Sequence, residues 1–482
     1  MRDTTRLRPL PFLLSVGLVT ALLLTAVIIG TPQESTARAA QTAPAPIAAA
    51  TTDTLWAGTI SFNSPWIGVC ESPASAQSLS ACFASATSKW SGTHSLAATD
   101  GESVYYTGGG PGLNCPVSGL GTDCTQIMAG PWPSSEQVEA LAAADGQLWI
   151  GQSDGSIYRC PADLPYVNQN SAPSQCVLLD DAGNRNVQSL LVANGTLYAG
   201  LGSAGTEKKK QGLLWTCDPQ TTNSCSTLDS YGNTKANTLA AGGGYLWVGL
   251  NNGIIWRCDL AAADACTDWD TAGEGVGSIS YDGNNTLYAA IGVSGGSTGE
   301  GIWSCPTTAK NQCTNVVSNV SGGWVAAGAG GVFSSVGSGS QSLRYGTSPY
   351  TAALPNTWQY ATLIYLPADG PLGVGAVKVK VGGKGINRLR QQCAASGTNP
   401  LLRVRLKGDH DVAVRRTFSL CRPGTLKAIY VPVDDLLKFD LLDPGAYTVT
   451  ARAGGYTARK PVSVEKDHTH TVRLRLGATA KG

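Results

Sequence analysis

Two stretches of the chain repeat one another in the order of their apolar and polar positions. VEALAAADGQLWIGQSDGSIYRC (Val138 to Cys160) and NTLAAGGGYLWVGLNNGIIWRC (Asn237 to Cys258) both begin with a short apolar strand and a Gly turn. An aromatic strand ending in Gly follows, then a second Gly turn, an apolar-aromatic strand and a Cys. Self-similarity at a period of about 40–50 residues, with four short strands per unit, predicts the blades of a β-propeller. The aromatic-strand motif appears as LWAG (Leu55), YYTG (Tyr105), LWIG (Leu148), LYAG (Leu197), LWVG (Leu246), LYAA (Leu287) and a degraded WVAA (Trp324). Alternation sends the Leu-type and aromatic side chains to opposite faces, and stacked blades cover both. The closing Gly permits a tight turn or a close backbone approach near the central channel.

Seven copies predict seven blades; six remain if the degraded copy is a connector. GVFSS (Gly331 to Ser335) is the seventh counterpart of GIWSC, with Ser335 in place of the Cys. The first copy lacks the strand that precedes later ones. TWQYATLIYLP (Thr357 to Pro367) either fills that place or finishes the seventh blade, and joining the chain ends would remove exposed sheet edges. Farther on, LLKFDLLDPGAYTVTARAGGYTARKPVSVEKDHTHTVRLRL (Leu436 to Leu476) alternates with period two, broken at DPG and GG, as in a β-sandwich. The expected fold is all-β: a propeller over residues 52–367 and a basic β-sandwich module over 371–478.

Composition agrees: 59 Gly, 12 Trp and 16 Tyr against 2 Met suit a turn-rich all-β protein of two or three domains. Net charge is +1, but Gln41 to Gly370 holds 10 Lys+Arg against 23 Asp+Glu, and Pro371 to Gly482 holds 20 against 8. An acidic region of −13 thus adjoins a basic one of +12. Screening acts over about 8 Å at physiological salt, so charge alone docks them weakly. The two regions are expected to move relative to each other unless an apolar interface forms.

Residues 1–40 read as an export segment. Arg2, Arg6 and Arg8 precede the uncharged run Leu10 to Gly30, and Ala37-Arg38-Ala39 offers small residues to a signal peptidase. The 21-residue run is also long enough to span a bilayer, so cleavage and a retained anchor both stay open. Residues 41–51 form a flexible spacer, and in either case the bulk is placed outside the cell.

The fourteen cysteines fall into neighbours: Cys70/Cys82, Cys115/Cys124, Cys160/Cys176, Cys217/Cys225, Cys258/Cys266, Cys305/Cys313 and Cys393/Cys421. In each repeat the first closes a strand and the second opens the next. Facing residues on antiparallel strands lie about 4.5–5.5 Å apart, within reach of a disulfide. Zinc would need four ligands per site, and no second pair or local His accompanies these. An exported chain with an even count favours structural disulfides within a blade.

The unit DGQLWIGQSDGSIYR (Asp145 to Arg159) resembles the short propeller repeats in periplasmic sensor regions of hybrid two-component regulators, which implies the fold and ligand sensing. Pro444, Gly445, Tyr447, Val449, Gly455 and Tyr456 resemble the PGxYxVxxxxxGY core of the carboxypeptidase regulatory-like, transthyretin-like β-sandwich. VGAVKVKVGGKG (Val374 to Gly385) fits that module's first hairpin. The resemblance implies a stability or interaction domain without chemistry of its own.

Candidate chemistry is sparse. Four His are few; His94 and His410 read as turn residues, and His468 and His470 share a strand face with a two-ligand zinc geometry that needs a third ligand. No GxSxG elbow occurs, and Ser153-Asp154-Gly155-Ser156 does not satisfy the sialidase box. Asp154 and Glu274 read as turn residues, and Lys208, Lys209 and Lys210 as a solvated loop tip. Asn194, Asn284 and Asn319 head Asn-x-Ser/Thr sites. No catalytic, cofactor or metal residue is assigned. Arg403, Arg405, Arg415, Arg416, Arg473 and Arg475 make a candidate polyanion face, for acidic polysaccharide rather than nucleic acid. The leading expectation is an exported, non-enzymatic recognition scaffold whose partner is an extracellular protein or glycan. The alternatives are a calcium-dependent propeller hydrolase or lyase, and a membrane-anchored sensor ectodomain.

Overall fold

The computed structural model describes residues 53–59, 66–71, 88–89, 96–107, 112–119, 123–127, 137–164, 175–183, 185–202, 213–230, 234–260, 266–292, 300–318, 322–328, 331–336, 342–345, 361–366, 374–389, 401–408, 413–420, 437–466 and 468–477. The export segment, the spacer, Cys82, His94, Lys208 to Lys210, Asn319, Cys393, His410 and Cys421 lie outside them. Among the described residues no helix is long and apolar enough to cross a membrane.

The described structure is a β-propeller followed by a two-sheet module. Six four-stranded sheets and one three-stranded sheet occupy the span from Thr54 to Leu366. Within each, the strands run antiparallel from the propeller axis outward. The LWIG-type strand lies second, and its side chains are buried on both faces. Leu148 and Ile150 pack into one intersheet core with Tyr105 and Leu141, while Trp149 between them packs into the next with Leu179, Val187 and Leu197. Leu246 and Val248 separate from Trp247 in the same way. The alternation that looks redundant in a single sheet therefore feeds two cores at once.

The Gly that closes this strand is required by close approach. A Cβ on Gly151 would run into Val187, one on Gly200 into Ala236 and one on Gly249 into Val276, each time the first residue of the next sheet's innermost strand. Gly249→Ala would set a methyl 2.5 Å from Val276 Cγ1 and 2.6 Å from Thr238 Cγ2. Overpacking of this kind costs about 1–3 kcal/mol, and we expect a lowered Tm with unchanged disulfides.

The segment Ala361–Leu366 pairs antiparallel with Thr54–Thr59, placing Leu55 opposite Tyr365 and Trp56 opposite Ile364. Of the two places open to it, the late segment thus takes the innermost position of the first sheet, joining the last strand of the propeller to its first. The degraded copy forms a sheet of its own from Gly322–Gly328, Gly331–Val336 and Ser342–Tyr345.

Five disulfides join the third and fourth strands of their sheets: Cys115–Cys124, Cys160–Cys176, Cys217–Cys225, Cys258–Cys266 and Cys305–Cys313. Cys258 and Cys266 are direct register partners, with Cα atoms 3.8 Å apart. Cys70 is also disulfide-bonded. Ser335 occupies the cysteine position of the seventh sheet, and its hydroxyl accepts the Trp324 N–H at 3.0 Å.

Three of the five disulfide loops are held from the preceding sheet by a carboxylate. Asp180, Asp229 and Asp270 stand near the ends of outer strands, and their Oδ2 atoms accept the N–H of Cys225 (3.0 Å), Cys266 (3.0 Å) and Cys313 (2.9 Å). The other oxygen accepts the next residue's N–H, at 2.8, 2.6 and 2.7 Å respectively. The aspartate follows its own cysteine at C-x-x-x-D: Cys176/Asp180, Cys225/Asp229 and Cys266/Asp270. After Cys313 the fourth residue is Val317, and the sheet that follows has Ser335 where a cysteine would stand. The pattern thus spans three successive sheet junctions; four residues after Cys124 stands Met128, although the Cys160–Cys176 loop follows.

The C-terminal module has two sheets around one core. Lys438–Leu442, Gly375–Gly382 and Thr469–Arg475 form one; Ala413–Ser419, Leu401–Gly408, Gly445–Ala453 and Tyr456–Val464 form the other. Val377, Val379, Phe439, Val472 and Leu474 meet Leu402, Val404, Leu406, Val449 and Ala451 between them. The expected hairpin at Val374 to Gly385 is instead one central strand, antiparallel to Lys438–Leu442 and parallel to Thr469–Arg475. Gly383, at φ 104°, ends it, and residues 384–389 turn helical rather than returning as a second strand.

Candidate functional site

The innermost strands of all seven sheets line a central cavity of ≈ 300 Å³. In five consecutive sheets the register slips at the same place, between Val138 and Ala140, Val187 and Ser189, Ala236 and Thr238, Val276 and Ser278, and Gly322 and Trp324. Each slip is a β-bulge, a device that re-aims the extra side chain. The bulged residues are Glu139, Gln188, Asn237, Gly277 and Gly323. The first three, on neighbouring strands, bring a carboxylate and two carboxamides to the cavity lining.

Most other polar groups here tie strand to strand. Ser189 donates to Ala236 O at 3.0 Å, and Asn237 Nδ2 to Val276 O at 3.0 Å. Thr238 Oγ1 accepts the Ile279 N–H at 3.2 Å, and Ser280 Oγ accepts the Ala327 N–H at 2.9 Å. Ser278 exchanges bonds with Val325, donating to its carbonyl at 3.5 Å and accepting its N–H at 3.3 Å. The lining is thus a laced ring with a polar arc at Glu139 and Gln188.

A second feature was not expected from the sequence. The end of Lys438–Leu442, at Leu441, inserts into the propeller. Leu441 is fully buried in the core that holds Tyr198, Leu246, Val248 and Trp256, and Val374 joins it there. Leu441 has φ 56°, a left-handed conformation costing a non-glycine residue roughly 1–2 kcal/mol. Polar bonds surround the plug. Gly244 N–H donates to Leu441 O at 2.7 Å, Tyr281 OH to Asp443 Oδ2 at 2.9 Å, and Asn194 Nδ2 to Asp440 Oδ1 at 2.6 Å. Burial pushes the Tyr281 phenol up, and the Asp443 carboxylate adds to the rise, so it stays a donor. Tyr198 is raised by burial and then by Asp440. The apolar interface that would hold the two regions together is present.

Beside the plug lies a cleft of ≈ 470 Å³ lined by Asp100, Asp145, Asn194 and Asp218 with Val374 and Lys466. Two of its acids cap their own turns. Asp100 accepts from Glu102 N, Ser103 N and Tyr105 OH, and Asp218 from Gln220 N and Thr221 Oγ1. Those bonds, led by the Gln220 N–H, hold the Asp218 carboxyl below its usual range.

Of the six candidate arginines, the four whose side chains are described divide between the module's two sheets. Arg403 and Arg405 lie on one sheet of the module, exposed; Arg473 and Arg475, also exposed, lie on the other. Backbone register pairs Arg415 with Arg405 and Arg416 with Val404. His468 and His470 come within 6.4 Å between ring centres. His468 Nδ1 sits 2.7 Å from Lys466 O, and His470 Nε2 3.8 Å from Glu465. Asp154 caps its own turn, accepting from Ser156 N at 2.8 Å and Ser156 Oγ at 3.0 Å. Asn194, the head of an Asn-Gly-Thr site, is engaged at the module contact.

Glu139, Gln188 and Asn237 were missed in the sequence, although one column holds them: V-E-A-L, V-Q-S-L and A-N-T-L, one residue into each innermost strand. No protein family and no curated protein matches the chain. Among solved structures it is similar to YCF48 from Cyanidioschyzon merolae, with 11% identity and TM-score 0.40 over 62% of this chain and 97% of that one. It is also similar to apo AztD from Citrobacter koseri, with 10% identity and TM-score 0.42 over 66% and 99%. The computationally designed Ika8 protein shares 12% identity, with TM-score 0.38 over 63% and 85%. Likenesses at this level carry no inference about function.

Proposed function

We propose that the protein is an exported recognition scaffold in which the propeller, its seven sheets taken as seven blades, holds the C-terminal module in a fixed pose. The observation that carries this reading is the Leu441 plug with its surrounding bonds, which joins module and propeller through a shared apolar core. Three features support it. Five disulfides fit an oxidising compartment. Carboxylate clasps join neighbouring sheets. Most hydroxyls of the channel lining serve inter-strand bonds.

One observation favours the calcium-dependent hydrolase or lyase as a second reading, namely the arc of Glu139 and Gln188 in the channel. The two separate in a single assay. The full chain is incubated with panels of lactones, esters and uronic-acid polymers, with calcium and with chelator. The scaffold reading expects no turnover in either condition. Calcium-dependent turnover lost in Glu139→Gln would replace it with the enzyme.

A further inference from the structure

We propose that one face of the module, the outer side of its four-stranded sheet, is a docking surface for a linear acidic polysaccharide. This deepens the exported-scaffold reading and rests on it. Along Leu401–Gly408 burial alternates strictly, so Arg403, Arg405 and Lys407 all face solvent while Leu402, Val404 and Leu406 fill the core. The neighbouring strands add Arg452 and Arg459 on the same side and equally exposed. Register builds two cross-strand rows: Arg403–Arg452–Thr457 and Arg405–Thr450–Arg459.

No acidic residue occupies these rows or the Lys407–Thr448 pair beside them. Arg403 lies directly opposite Arg452, and like charges so placed destabilise a sheet. An arrangement that sets five cations on one flat face, two of them in direct opposition, fits a partner that neutralises them. Two of the module's described acids are engaged elsewhere. Asp440 and Asp443 face the propeller at the plug, so the acidic disc does not cover this face, which is exposed with the propeller in place.

The chemistry of the rows narrows the partner. Strands lie about 4.8 Å apart and outward residues recur about every 6.6 Å, giving a grid of cations along an extended polymer. Threonines alternate with the arginines and offer hydroxyls to a chain that carries hydroxyls as well as anions. A membrane fits less well. The large apolar side chain exposed on this strand is Leu401, and one buried leucine supplies about 1.5–3 kcal/mol, short of stable anchoring.

The test measures retention of the full chain on immobilised polygalacturonate, with neutral dextran as control, against rising salt. Wild type should bind at low salt and elute as salt rises. Arg403→Gln/Arg405→Gln/Arg452→Gln should lose at least tenfold in affinity. Arg473→Gln/Arg475→Gln, on the opposite sheet, should stay within twofold of wild type. A thermal melt of each variant checks folding, and the single variant Arg459→Gln gives a smaller loss to read if the triple one misfolds. Equal losses from both sheets would show diffuse attraction and overturn the proposal, as would no retention of wild type. Equal or tighter binding to phosphatidylserine vesicles would assign the face to lipid and also overturn it. None of these failures touches the docking of the module, which is measured separately.

Discussion

Leu441→Ala should cost about 2–5 kcal/mol and release the C-terminal module from the propeller. The side chain is fully buried among Tyr198, Leu246, Val248 and Trp256, so truncation leaves a cavity in a core shared by both regions. Leu441→Gly removes even more side chain, yet it should be no worse than the alanine variant. At φ 56° the leucine backbone is strained, alanine keeps that strain, and glycine relieves roughly 1–2 kcal/mol of it. Paired thermal melts check the order. An alanine variant clearly more stable than the glycine one would show that the left-handed conformation is not held in solution. The contact should also respond to alkali. The Tyr281 phenol is raised by burial and by Asp443, so its contribution is complete below about pH 10 and falls as pH rises above it.

The second large effect is expected at the disulfide loop of the fifth sheet. Opening Cys258–Cys266 by replacing both cysteines with serine should cost about 2.5 kcal/mol on the chain-entropy account for a loop this short. Asp229→Ala removes the carboxylate that accepts both Cys266 N–H and Ser230 N–H, a loss of about 1.5–3 kcal/mol. The carboxylate binds the loop that the disulfide closes, so the two effects should not add. With the disulfide open the loop can leave the aspartate, and the combined variant should lose less than the sum. Denaturant titration of the three variants measures the coupling. Strict additivity would mean that Asp229 stabilises only its own turn.

The propeller was legible because its signals are local and repeated. LWIG and LWVG mark the same strand, the closing glycines mark the approach of the next sheet, and each cysteine pair brackets one hairpin. The C-x-x-x-D spacing at Cys176, Cys225 and Cys266 was equally visible, but its meaning depends on which sheet lies next door. The channel arc lay in a column of the repeats, hidden because a bulge breaks the two-residue alternation that sequence reading relies on. The plug was not legible at all. LLDPG reads as a strand end and a turn, and nothing near Leu441 tells that its side chain enters a core formed some 200 residues earlier, around Leu246 and Val248. The division of Arg403 and Arg405 from Arg473 and Arg475 was hidden for a related reason. Alternation gives a residue's face within its strand, whereas the sheet to which that strand belongs is decided by pairing, and Thr469–Arg475 pairs with Gly375–Gly382 rather than with Leu401–Gly408.

Rigid docking of the module is the claim on which the scaffold reading stands, and amide exchange at Gly244 tests it most directly. That N–H sits in a Gly-Gly turn, where it would exchange freely if the propeller stood alone, and here it donates to Leu441 O at 2.7 Å. In the full chain Gly244 should be protected to the degree of its neighbouring strand amides, and Leu441→Asp should abolish that protection while leaving Trp247 and Val248 protected. Exchange of Gly244 in the unaltered protein at the rate of an open turn would show that module and propeller move independently, and would contradict the account.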